Sequence, residues 1–125
     1  MTGRYSGPLS EKAFRFALRI VKVYKYLCAE QKEFVLSKQI LRSGTAIGAL
    51  QRESEHAESK PDFIHKLGVA QKECKETLYW LELLFGSEFI SKEMYISLKN
   101  DADELMKILT SSIKTAKSNL KPRNN

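Results

Sequence analysis

Two histidines each stand three residues after a carboxylate, in Glu53-x-x-His56 and Asp62-x-x-His65. On a helix that spacing puts acid and imidazole on one face, and bundle proteins that hold two irons take such a Glu-x-x-His pair from each of two helices. A complete site of that kind needs a further glutamate from each of the other two helices. Here residues 1–28 offer only Glu11, and no acid follows Glu104. Both pairs flank a turn, away from the middle of any bundle. They read as solvated side chains at helix ends, so no metal or other cofactor is expected and a metal-dependent enzyme is the weakest functional reading. No serine–histidine–acid order or glycine-rich phosphate loop is present, since Gly44 and Gly48 lie inside a helical pattern. The chain is therefore expected not to be an enzyme.

The basic residues form a second constellation. Formal net charge is +6, and it is unevenly spread. Residues 1–28 carry Arg4, Lys12, Arg15, Arg19, Lys22 and Lys25 against Glu11. Residues 114–125 carry Lys114, Lys117, Lys121 and Arg123 with no acid, while the middle of the chain is net acidic. Lys12, Arg15, Arg19 and Lys22 recur every three or four residues and so line one helix face. In an up-down-up-down bundle, Lys114, Lys117 and Lys121 fall at the same end as the start of the first helix. Lysine and arginine on phosphates release counterions, which gives salt-dependent, sequence-nonspecific binding. No base-reading motif accompanies them. These seven residues are the candidate contacts for RNA or DNA. The competing reading is a solvated surface, neutralised by Glu53, Glu55, Glu58 and Asp62 at the same end. It leaves a structural oligomer or protein-interaction module with no nucleic-acid role.

Four helices must position these groups. The 125 residues suit one domain with one core, spanning 1–125, ordered from about 10 to 120 with flexible ends. The first helix is expected from about Glu11 to Glu30, with Ser10 as N-cap and Glu11 in the first turn. Its apolar residues, from Phe14 to Cys28, cover an arc of about 220°, twice what a surface helix needs. The excess predicts a partner for this face, and a second copy of the chain is the obvious one. Ser37 is expected to cap the second helix, with Leu36 and Leu41 as a hydrophobic staple, and the helix to run to about Glu58. Gly44 and Gly48, one turn apart, predict close approach of a neighbouring helix. Ser59 and Asp62 resemble a capping box for the third helix, which Gly86 ends. Its seam is Phe63, Leu67, Ala70, Cys74, Leu78, Leu81 and Phe85. Ser91 caps the fourth helix, from Lys92 to about Asn119. Short connections make neighbours antiparallel, so the fold class is all-α, an up-down-up-down four-helix bundle.

No apolar run approaches the roughly 18–20 residues that span a bilayer, and the first residues lack a signal-peptide layout. A cytoplasmic protein without membrane contact is expected. Cys28 and Cys74 sit among apolar residues and are expected to be reduced.

The segment from Gln39 to Leu84 resembles the 23S rRNA-intervening-sequence family of bacterial four-helix-bundle proteins. The matching residues are Gln39-Ile40-Leu41-Arg42-Ser43, Ile47-Gly48-Ala49 with Glu53, Ser59 with Asp62-Phe63, Lys66-Leu67, Ala70 and Glu73. The most specific run is Glu76-Thr77-Leu78-Tyr79-Trp80-Leu81-Glu82-Leu83-Leu84. The chain departs from the family at Leu50, usually asparagine, at Gln51, usually isoleucine, and at Ser54, usually alanine or glycine. The resemblance implies a ring, commonly a homopentamer. A distant branch, the accessory proteins of diversity-generating retroelements, binds nucleic acid and a protein partner through a basic ring. Among the matching residues, Glu53 and Glu73 are expected to pair with Arg42 or another base in a structural role. Tyr79 and Trp80 are expected to serve as core and interface anchors, in the densest apolar run.

Overall fold

A computed structural model describes residues 7–120, and Lys121 and the two ends of the chain lie outside them. Among the described residues there are four helices and no strand: α1 (Pro8–Ala29), α2 (Leu36–Ser54), α3 (Lys60–Gly86) and α4 (Lys92–Leu120). Each helix packs against its neighbours in chain order, and α4 returns to α1 through the loosest of the four contacts.

The core follows the heptad pattern more strictly than the apolar residue types suggest. On α1 it takes Ala13, Phe16, Ile20, Val23 and Leu27. On α3 it takes Leu67, Ala70, Cys74, Thr77, Leu81 and Leu84. Over its second half the predicted α3 seam is thus shifted back by one residue at two positions, with Thr77 and Leu84 buried where Leu78 and Phe85 were expected, and the latter two are only partly buried. Thr77 is tolerated there because its hydroxyl is satisfied, 2.8 Å from the Glu73 carbonyl oxygen and 2.9 Å from Ser43 Oγ.

The glycine expectation holds at Gly44. A Cβ there would meet Ile20 Cγ1 at 2.7 Å and Cγ2 at 2.9 Å, so α1 rests directly on the α2 backbone. Gly48 sits more loosely, with the nearest atom, the Ala13 carbonyl oxygen, at 3.4 Å.

The helix ends divide into those legible from local sequence and those that are not. Ser59 accepts from Asp62 N at 3.2 Å, and Ser91 from Met94 N at 3.1 Å, as expected. The Asp62 carboxylate accepts from Glu58 N, one residue upstream of the reciprocal capping-box position. Ser10 is not a cap. α1 begins a turn earlier, with Gly7 at the N-cap and Pro8 in the first turn, where its missing N–H is no loss. Ser37 is not a cap either. The Glu33 carboxylate accepts from the N–H groups of Val35 (3.1 Å), Leu36 (2.9 Å) and Ser37 (2.7 Å). α2 ends at Ser54, before the expected Glu58, and the next residues form turns. Gly86 does not supply the left-handed residue after α3. Glu88 does, at φ 68°, and Phe89 N closes back on the Leu84 carbonyl at 2.9 Å.

Candidate functional site

The α1 basic stripe lies against acids of α4. Lys12 Nζ is 3.1 Å from Glu104, and Arg19 is 2.6 Å from Asp101 and 2.9 Å from Ser97 Oγ. Arg15 reaches Glu11, one turn back on its own helix, at 4.0 Å. Lys12, Arg15, Arg19, Asp101 and Glu104 line one small cleft of ≈ 220 Å³ between α1 and α4. These pairs are exposed enough that each contributes only about 0.2–1 kcal/mol, yet they set an acid against three of the stripe's four cations. Lys22 has no ion pair among the described residues and lines an adjoining hollow with Tyr26 and Met94. Three of the four acids expected to neutralise the basic end have other partners. Glu53 takes Lys66 at 3.1 Å, Glu55 accepts from Gln51 Nε2 at 2.6 Å, and Asp62 serves its helix end.

Lys114 and Lys117 occupy a different surface. Lys114 is ten residues beyond Glu104, about 15 Å of helix rise, so it stands well along the axis from Lys12. With Gln71, Thr110, Ile113 and Ser118 the two lysines line a hollow of ≈ 560 Å³ between α3 and α4. A second hollow of ≈ 580 Å³ continues it, lined by His65, Gly68, Val69, Gln71, Lys72, Lys75, Met106 and Thr110. Gln71 and Thr110 belong to both and are joined by a 3.0 Å hydrogen bond that bridges the two helices. The two hollows adjoin at this bridge and together make a groove along α3 and α4, with four lysines and no carboxylate in the combined lining. Among the described residues none of these four lysines has an ion pair. Lys72 and Lys75 were not singled out by the sequence, although their three-residue spacing was visible; acids at 73 and 76 masked them. The fold turns Glu73 and Glu76 toward α2, where both meet Arg42.

The family-matching residues build a scaffold. Arg42 bridges Glu73, at 3.1 Å, and Glu76, while Glu53 pairs with Lys66 instead. Trp80 Nε1 donates to Glu76 at 2.9 Å. The Arg42 and Trp80 hydrogen bonds hold the Glu76 carboxyl below its usual range, and Glu76 in turn raises Arg42. Trp80 packs partly buried against the core, and Phe63 does the same at the start of α3. Tyr79 is 56% exposed and edge-on to Trp80, with ring centroids 5.1 Å apart, so within one chain it anchors no core.

Nucleophile and metal chemistry find little to work with. Burial, and then the nearby Asp103 charge, push the Cys74 thiol up to about 12, so it stays protonated and donates to the Ala102 carbonyl at 3.3 Å. Cys28 lies 3.8 Å from Ser37 Oγ, and both cysteines are free. Among the described residues no three His, Cys, Asp or Glu side chains cluster as metal ligands, and no helix is long and apolar enough to cross a membrane.

With the geometry in place, comparison with known proteins is informative about family and silent about activity. No curated protein matches the chain. The crystal structure of a protein of unknown function from the S23 ribosomal protein family of Bacteroides thetaiotaomicron is similar over 85% of this chain and 98% of its own, with 57% sequence identity and a TM-score of 0.84. The family model for the 23S rRNA-intervening sequence protein matches residues 9–111, which include α1 from its second residue, all of α2 and α3, residues 92–111 of α4 and the whole Arg42–Glu73–Glu76–Trp80 scaffold. The chain belongs to the 23S rRNA-intervening sequence protein family.

Proposed function

We propose that this protein is a non-enzymatic, antiparallel up-down-up-down four-helix bundle that assembles into a ring, commonly a pentamer in its family, and binds RNA or DNA through its basic surface without reading bases. Contact order supports the topology. Along α1 and α2, Ala13 lies by Gly48, Ile20 by Gly44 and Cys28 by Ser37. Along α3 and α4, Gln71 meets Thr110, Cys74 meets Ala102 and Phe85 stacks on Tyr95. In each pair one helix is read forward and the other backward.

The ring is supported by a second apolar seam on α1. Phe14, Ala17, Val21, Tyr24 and Cys28 follow the same heptad spacing as the buried seam, one position over, and all remain partly or wholly exposed. Phe14 and Leu18 are 48% and 52% exposed. A second copy packed on this seam would complete the burial.

Nucleic-acid binding is carried by one observation, the set of lysines without a facing acid, of which Lys114 and Lys117 are members. Retention of random RNA at low salt, lost steeply as salt rises, is the expected behaviour. No retention at low ionic strength would remove the nucleic-acid role and leave the structural oligomer, a reading favoured by the neutralised α1 stripe.

A further inference from the structure

We infer that the groove between α3 and α4 seats a single phosphodiester strand, held by Lys72 and Lys75 from one wall and Lys114 and Lys117 from the other. The inference rests on the nucleic-acid reading above and moves the contact off the α1 stripe.

Charge is the first reason. The α1–α4 cleft sets three cations among two carboxylates, whereas the α3–α4 groove has four lysines and none. An anion meeting these lysines displaces no ion pair among the described residues. One entering the cleft must compete with Asp101 and Glu104.

Shape is the second. Helices about 10–12 Å across with axes about 8–10 Å apart interdigitate, so the furrow is a shallow surface track floored by side chains. A flexible single strand can follow such a track and set successive phosphates beside the lysines along it, whereas a duplex of fixed curvature meets it only where the two cross. Gly68 leaves its part of the wall bare, with nothing within 4 Å of where a Cβ would stand.

Residue type is the third. All four cations are lysines, which bind phosphate as point charges, and the lining has no arginine fork suited to planar carboxylates. It has no Phe, Tyr or Trp either, so it offers neither a stacking platform for bases nor the aromatic anchors of a protein-binding hot spot. Backbone contact without sequence preference is what remains.

The test is fluorescence anisotropy of the full-length protein with labelled 20-nucleotide oligo-U, oligo-dT and a duplex of equal length. Lys72→Glu with Lys75→Glu should weaken single-strand binding at least about tenfold and lower the salt slope by roughly 1.4, two phosphates' worth. Arg15→Glu with Lys22→Glu changes net charge equally and should stay within about threefold. Lys72→Arg with Lys75→Arg should retain binding, and solution mass should not change in any variant. The two single-strand arms decide whether RNA or DNA is preferred, and loss in the groove variant on the preferred strand supports the groove. Equal losses in the two glutamate variants, a larger loss from the α1 variant, or a duplex bound as tightly as a single strand would overturn it. So would displacement by poly-glutamate at the same charge concentration as the oligonucleotide, which would point to an acidic protein partner. A wild-type protein that binds no probe defeats the broader nucleic-acid reading itself. A wild-type protein that binds while the groove variant is unaffected defeats the groove alone.

Discussion

Gln51 is 5% exposed, and its side-chain carbonyl oxygen has no hydrogen-bond donor among the described residues. Glu55 Oε1 and Ser10 Oγ share that condition, and all three belong to the end where α1 starts and α2 stops. An unmet buried acceptor costs about 1–3 kcal/mol, so this end is a weak point of the fold. Two of the three departures from the family pattern, Gln51 and Ser54, are buried here, and Ser54 Oγ is satisfied by the Gln51 carbonyl at 2.5 Å. Gln51→Ile, the family's usual residue, removes the orphaned oxygen and is expected to stabilise the protein by about 1 kcal/mol. Thermal unfolding checks it. A lower midpoint would mean that the Gln51–Glu55 hydrogen bond contributes more than the orphaned oxygen costs.

At the scale of elements, Glu33 holds the start of α2. Its partial burial works against the charged form, but the N–H groups of Leu36, Ser37 and Val35 outweigh it and keep the carboxyl below its usual range. Glu33→Ala is expected to cost about 1–2 kcal/mol near neutral pH, as loss of a cap does. The folded-state pKa is depressed, so this stability is present above the unfolded carboxyl's pKa and is lost as pH falls through the folded value. Urea midpoints of wild type and variant should therefore converge on acidification. A gap that stays constant with pH would assign the loss to packing. The contrast among caps explains what could be read locally. Ser59 and Ser91 act within three residues of themselves. Ser37 loses its role to a carboxylate outside the expected motif, and Ser10 loses its role to a helix that starts earlier at Pro8.

For the whole molecule, the breadth of the apolar arc on α1 has a structural account. One seam is spent on the core, and the adjacent one, from Phe14 to Cys28, remains at least partly uncovered in the single chain. The guanidinium of Arg52 sits 5.1 Å from the Phe14 ring centroid and shields only part of it. Solution mass is expected to be a multiple of the 14.3 kDa chain. Phe14→Glu with Leu18→Glu is expected to bring it down to one chain with helical content intact, because both side chains are about half-exposed and outside the core. A wild-type monomer by light scattering would remove the ring and leave the second seam unexplained.

The family and the four helices were legible because their signals are local: heptad spacing, caps within one turn, and a matching run such as Glu76 to Leu84 act between near neighbours in the chain. The Gly44–Gly48 contact was legible for the same reason, since a bare backbone on a helix face has few other uses. The candidate site was legible only in part. Lys114 and Lys117 stood out by their lack of nearby acids, whereas Lys72 and Lys75 were hidden among Glu73 and Glu76. Only tertiary structure decides which cations meet an acid. Arg19 and Asp101 are 82 residues apart and become partners because α4 lies against α1. Arg42, from α2, draws Glu73 and Glu76 away from the α3–α4 groove. Net charge is written in the sequence, but the charge left facing solvent depends on helix pairing.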